Sequence, residues 1–135
     1  MTDPDLVAKQ LAVIETCVAD LRRLARPDAM AHDIREKRFI EHTLQIAIQA
    51  ALDVASHIVS DERLGEPETN RQLFDLLARA GWLPAEQADL MKRMAGLRNI
   101  LVHGYQTVNL DVLQDAVAHR LDDRLAFSRT IRSRL

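Results

Sequence analysis

Between positions 97 and 105 the chain reads Leu-Arg-Asn-Ile-Leu-Val-His-Gly-Tyr. A fixed cation (Arg98), an amide (Asn99), an imidazole (His103) and a phenol (Tyr105) thus fall within eight residues. Cleavage of RNA by its own 2′-hydroxyl needs such groups. The hydroxyl attacks the neighbouring phosphate, a base takes its proton, and an acid protonates the departing 5′-oxygen. His103 is able to fill either role, because imidazole titrates close to neutral pH. Arg98 carries a planar fork that fits two phosphate oxygens, and its charge favours the more negative transition state. Asn99 is placed to orient the phosphate or the imidazole. The plainer use of the same residues is local: Arg, Asn and His near a helix end cap carbonyls and complement the dipole. Spacing alone leaves both uses open.

Geometry adds a condition. In an unbroken helix His103 points about 140° away from Arg98, five residues earlier. Either the helix unwinds before Gly104 and brings the two together, or a second subunit supplies the missing group. Elsewhere, Asp53 and His57 stand four residues apart in a strongly apolar stretch, close enough to interact on a helix. They face a cleft, or they form a structural or surface pair. Gln45 and Gln49 read as interface or surface residues. The remaining histidines, His32, His42 and His119, complete no metal-ligand spacing, so neither a metal nor a cofactor is expected. No phosphate-cradling glycine loop and no G-x-S-x-G elbow occur.

The chain that must position these groups has 135 residues, enough for one domain spanning 1–135. Apolar residues make up 47%, charged residues 28% and aromatics only 4%, which favours helices packed through aliphatic faces over sheets. Cys17 is the sole cysteine, so no intramolecular disulfide forms, and its place on an apolar stripe makes it a small buried hydrophobe. No hydrophobic signal core opens the chain and no apolar run reaches membrane-spanning length, so the expected location is the cytoplasm, away from membranes. The net charge of −2 hides an asymmetry. Residues 1–90 carry 10 basic and 16 acidic side chains, residues 91–135 carry 8 and 4. The basic end either attracts phosphate or forms a solvated face, with Arg120, Arg124, Arg129, Arg132 and Arg134 along RNA backbone, against an acidic partner, or paired with Asp122 and Asp123.

Apolar periodicity predicts helices near 5–24 and 32–59, one from Thr69 to Gly81, one from Pro84 to about Gly104, and one starting at Asn109 and running toward the C-terminus. Arg26-Pro27 ends the first, because the residue before proline leaves the helical region. The second has a stripe wide enough for two neighbours. Thr69 and Gln72 have capping-box spacing, Gly81 suits a left-handed C-terminal cap, and Pro84 suits a first helical position. Leu113, Val117, Leu121 and Leu125 repeat every four residues in the last helix. The expected fold is all-α, an up-and-down bundle of about five helices.

The segment from Arg98 to Tyr105 resembles the R-x4-H-x-Y signature of HEPN toxins in the HEPN–MNT toxin–antitoxin group. Arg98, His103 and Tyr105 match the signature, and Asn99 matches the polar residue that often follows the arginine. The likeness extends over nearly the whole chain, through the 44–60 helix, the Gly81-Trp82-Leu83-Pro84 turn and the Val108-Asn109-Leu110 start of the last helix. It implies a metal-independent endoribonuclease acting on cellular RNA as a homodimer, with both motifs facing a shared cleft and Arg98, Asn99 and His103 catalytic. It also implies neutralisation by a minimal nucleotidyltransferase antitoxin that transfers AMP to Tyr105. In the family an acidic residue on the second helix often lies near the motif, which implies that Asp53, with His57 beside it, orients His103 or positions substrate. The rival expectation is a non-catalytic helical module that holds nucleotide or docks on a nucleotidyltransferase as its substrate-recognition partner. A structural helical dimer is the third.

Overall fold

A computed structural model describes residues 2–103 and 109–135. Among them are six α-helices and one short 3-10 turn (Pro27–Ala29), with no strand. The helices are α1 (Pro4–Leu24), α2 (Ile34–Asp61), α3 (Asn70–Arg79), α4 (Ala85–His103), α5 (Leu110–His119) and α6 (Leu121–Arg132). The expected helical architecture is therefore present. None of these helices is long and apolar enough to cross a membrane.

Local chemistry sets most of the boundaries. Asp3 accepts from the N–H groups of Asp5 and Leu6 and caps α1, with Pro4 as its first residue. Asp33 caps α2 through the N–H of Arg35, and Asn109 caps α5 through that of Asp111. At α3, Thr69 accepts from the N–H of Gln72, while the Gln72 side chain reaches back to the N–H of Glu68, one residue beyond its usual capping-box partner. Gly81 has φ +82°, and the Trp82 and Gly81 N–H groups close on the carbonyls of Leu77 and Ala78, the paired bonds of a Schellman cap. Pro84 stands one place earlier than expected. It is the N-cap of α4, and its carbonyl accepts the first helical bond, from Ala88 at 3.1 Å.

The centre of the molecule is α2, which packs against α1, α3 and α4, one neighbour more than its stripe predicted. Ile40, Leu44, Ile48, Ala51, Leu52, Ala55 and Ile58 are all nearly inaccessible and form one broad apolar face. Each fully buried isoleucine or leucine among them contributes about 1.5–3 kcal/mol. At another junction the rings of Phe74 on α3 and Phe127 on α6 meet edge to face, with centroids 6.0 Å apart at 84°. Cys17 is buried as expected, and burial, with help from Asp20, pushes its thiol up.

The single last helix is corrected. The backbone leaves the helix at Arg120 (φ −115°, ψ 0°), dividing the segment into α5 and α6. The two halves have different partners. Besides touching each other, α5 meets the 3-10 turn, whereas α6 lies on α1 and α4. Arg124, 3% exposed, spans the break by donating from Nη1 to the Arg120 carbonyl at 2.7 Å.

Candidate active site

The motif occupies the last turns of α4. Leu97 is buried and anchors this end, Arg98 is half-buried, and Asn99, Ile100 and His103 are exposed. Helix α4 runs unbroken through His103. The unwinding that would bring His103 to Arg98 within one chain is therefore absent, and the two side chains leave the helix about 140° apart. Tyr105, with Gly104, lies outside the described residues.

Arg98 is held from α2. Its Nη2 donates to Oε1 of Gln49 at 3.2 Å, across 49 positions of sequence. Gln49 Nε2 in turn donates to Oδ1 of Asp53 at 2.9 Å, one turn further along α2. The Nε atom of Arg98 is buried and has no hydrogen-bond partner among the described residues. A guanidinium with one nitrogen braced and donor capacity left over is a group prepared for an anion. The imidazole of His103 is exposed and enters no hydrogen bond or ion pair among the described residues.

Asp53 and His57 do not pair with each other. Asp53 turns toward Gln49, and Nε2 of His57 lies 2.9 Å from Oδ2 of Asp61, one turn in the other direction. Both line a small groove against Leu6, Val7 and Gln10 of α1. Asp53 thus connects to the motif through Gln49 and Arg98, with no direct bond to His103. Gln49, which reads from sequence as an interface or surface residue, is the missed member of this cluster. One signal marks it: Gln45, Gln49 and Asp53, spaced by four, form a polar line through the otherwise apolar stretch 44–55.

Among the described residues no group of three or more His, Cys, Asp or Glu is arranged to hold a metal. An apolar cavity of about 180 Å³ lies between α4, α5 and α6, lined by Met91, Met94, Leu97 and Ala116 with Arg120 and Arg124 at one side, but it contains neither Arg98 nor His103. Nor, apart from the exposed Arg129, is the basic C-terminal end a free track for RNA backbone. Arg120 pairs with Asp115 and Asp123, Arg132 with Glu15, and Arg134 donates to the Gly81 carbonyl and lies 4.8 Å over the Trp82 ring. Asp122 pairs with Arg22 of α1 and with none of its neighbours' arginines.

Known proteins share both this fold and this sequence. A model of the family described as "Ribonuclease HepT-like" matches residues 14–131. The protein named mRNA nuclease HepT of Shewanella oneidensis is 32% identical, over 96% of this chain and 98% of its own length. The tRNA nuclease HepT of Aphanizomenon flos-aquae is 27% identical, over 98% of this chain and 92% of its own. The solved structure of a tri-AMPylated Shewanella oneidensis HEPN toxin in complex with MNT antitoxin superposes with a TM-score of 0.88 at 31% identity, covering 98% of this chain and 99% of that one.

Proposed function

Because this chain belongs to the HepT-like ribonuclease family, we infer that it is the RNA-cleaving toxin of a toxin–antitoxin pair, with Arg98 and His103 as its principal catalytic residues. The observation that carries this reading is the division of labour along α4. A half-buried arginine is braced from α2, and an exposed imidazole stands at the helix end, on a different face. One chain presents both groups but does not aim them at one point. Two chains brought together through this end of the bundle place the arginine of one beside the imidazole of the other. The working form is therefore a homodimer with the two motifs facing each other.

In that cleft the substrate phosphate lies against Arg98, whose fork stabilises the charge that grows as the 2′-oxygen attacks. One His103 takes the 2′-hydroxyl proton, and the imidazole of the second subunit gives a proton to the departing 5′-oxygen. The P–O5′ bond breaks as the P–O2′ bond forms, leaving a 2′,3′-cyclic phosphate and a 5′-hydroxyl. Neither an oxidant nor a hydrolytic water enters the step. Asn99, exposed beside Arg98, orients the phosphate or the imidazole. Cellular mRNA and tRNA are the two substrate classes named for relatives.

Control comes from a partner nucleotidyltransferase of the MNT type, the antitoxin seen with the Shewanella oneidensis toxin. Tyr105, two residues from His103, is the hydroxyl that receives AMP. An adenylyl group adds bulk and negative charge beside the phosphate site and repels RNA.

The test is cleavage of total RNA in EDTA by protein purified from cells lacking the antitoxin, with Arg98→Ala and His103→Ala alongside. Cleavage that both variants lose while keeping their helical circular dichroism is the expected result. Absence of cleavage by folded, unmodified wild type across several RNA classes overturns it in favour of a non-catalytic partner of the nucleotidyltransferase.

A further inference from the structure

The contact between α2 and α4 contains more than a brace. A carboxylate only accepts hydrogen bonds, so Asp53 takes the NH2 end of the Gln49 amide. That choice turns the carbonyl end of the same amide toward α4, where Nη2 of Arg98 donates to it. The amide orientation is thereby set by a charged residue that does not itself touch the arginine. Gln49 is half-buried, and its amide is engaged at both ends, by Asp53 and by Arg98.

We propose that Gln49 is a positioning residue for the cleavage reaction: a neutral spacer that transmits the orienting effect of Asp53 to Arg98 while leaving the arginine's charge free for the RNA phosphate. The inference rests on the reading of Arg98 as the phosphate-binding group. Its physical logic is a comparison of two ways to hold a guanidinium. A carboxylate at position 49 orients it equally well, but its full negative charge competes with the substrate. An amide orients it through one hydrogen bond and cancels none of its charge. Placing the acid one side chain further away keeps the orientation and avoids the competition.

The experiment measures two quantities on full-length dimer free of adenylylation. One is kcat and KM for cleavage of a defined RNA. The other is affinity, with its salt dependence, for the same RNA blocked by 2′-O-methyl groups. Gln49→Met keeps size and helix propensity but removes both hydrogen bonds. It is expected to lose about 10- to 100-fold in kcat/KM, the worth of one hydrogen bond to a charged group. Gln49→Glu restores an acceptor, yet it is expected to bind blocked RNA more weakly than Gln49→Met and with a shallower salt slope, because it neutralises Arg98. A merely structural glutamine predicts the reverse order, with the closer isostere better. In an Arg98→Ala background, Gln49→Met is expected to leave blocked-RNA affinity unchanged, the non-additivity of residues that act through one another. Asp53 is exposed, so Asp53→Asn reports on the same relay should Gln49→Met fail to fold, and a severalfold loss of kcat is expected. The proposal is overturned if folded Gln49→Met cleaves within twofold of wild type while Arg98→Ala is inactive, or if the two substitutions add independently. Full cleavage by Arg98→Ala removes instead the reading on which the inference stands, and the inference with it.

Discussion

Glu15 on α1 and Arg132 on α6 meet in a two-pronged ion pair, Nε to Oε2 at 2.9 Å and Nη2 to Oε1 at 2.8 Å. The buried hydroxyl of Ser128 donates to the same Oε2. Hydrogen bonds from Arg132, and then from Ser128, hold the Glu15 carboxyl below its ordinary value against the opposing effect of burial. The pair ties the last helix to the first, so its titration is legible in stability. A carboxyl whose folded pKa is depressed stabilises above its unfolded value, near 4.5, and loses that stabilisation as pH falls through the lower folded value. Glu15→Gln is expected to cost about 1 kcal/mol or less at neutral pH, since both side chains are more than a third exposed, and to flatten the acid limb. Urea midpoints for both proteins from pH 7 down to 3 check this. Parallel curves throughout would exclude the assigned role.

Gly96 lies inside α4, two residues before Arg98. The nearest atoms to a Cβ built there belong to the Arg71 guanidinium, with Nη2 at 2.6 Å, and that is the end of a flexible exposed side chain. Glycine inside a helix costs about 0.5–1 kcal/mol relative to alanine. Gly96→Ala is therefore expected to raise stability by about that amount while Arg71 swings aside. Thermal unfolding gives the answer, and a lowered midpoint means that Arg71 cannot move.

Arg124 is a buried charge with one strong bond, to the carbonyl at the Arg120 break. Burial pushes it down to about 10, with Asp123 opposing and Arg120 adding to the shift. Its Nε has no partner among the described residues. Such a group is worth little net stability, because desolvation offsets what its contacts return. Arg124→Met is expected to match or exceed the wild-type melting temperature. Arg124→Ala, which leaves a cavity, is expected to fall below Arg124→Met by about 2–5 kcal/mol. A clear loss in Arg124→Met shows that the bond at the break outweighs the buried charge.

Tyr105→Phe separates catalysis from control. The hydroxyl is the acceptor of AMP in the proposed reading and takes no proton in the cleavage step. The variant is expected to cleave RNA at a rate close to wild type. Incubated with its antitoxin and ATP, it is expected to show no mass increase and to remain active. A folded but inactive variant assigns the phenol to catalysis.

Much of this was legible because helix formation and capping are local. Thr69, Gly81 and Asn109 act within three residues of where they stand, so their types predict the boundaries they set. The motif was legible for the same reason: Arg98, Asn99 and His103 lie on one helix, and their spacing fixes the angles between them. The break at Arg120 was not, because the four-residue repeat of leucine and valine continues across it and only the separate partners of α5 and α6 require it.

The residues around the motif were decided by packing. Asp53 and His57 have the spacing of a pair, yet each found another partner on the same helix, since side chains four residues away lie on both sides of any helical position. Gln49 reads as a surface amide until α4 is laid beside α2, because no local rule encodes a contact across 49 positions. The sequence by itself determined an all-helical chain, the ends of most helices, and one segment that gathers a guanidinium, an amide and an imidazole, all properties of neighbours along the chain. Tertiary structure alone decided which amide holds the arginine, that Arg120, Arg124, Arg132 and Arg134 of the tail are tied into the bundle, and that Arg98 and His103 of one chain face apart, because these depend on which helix faces meet.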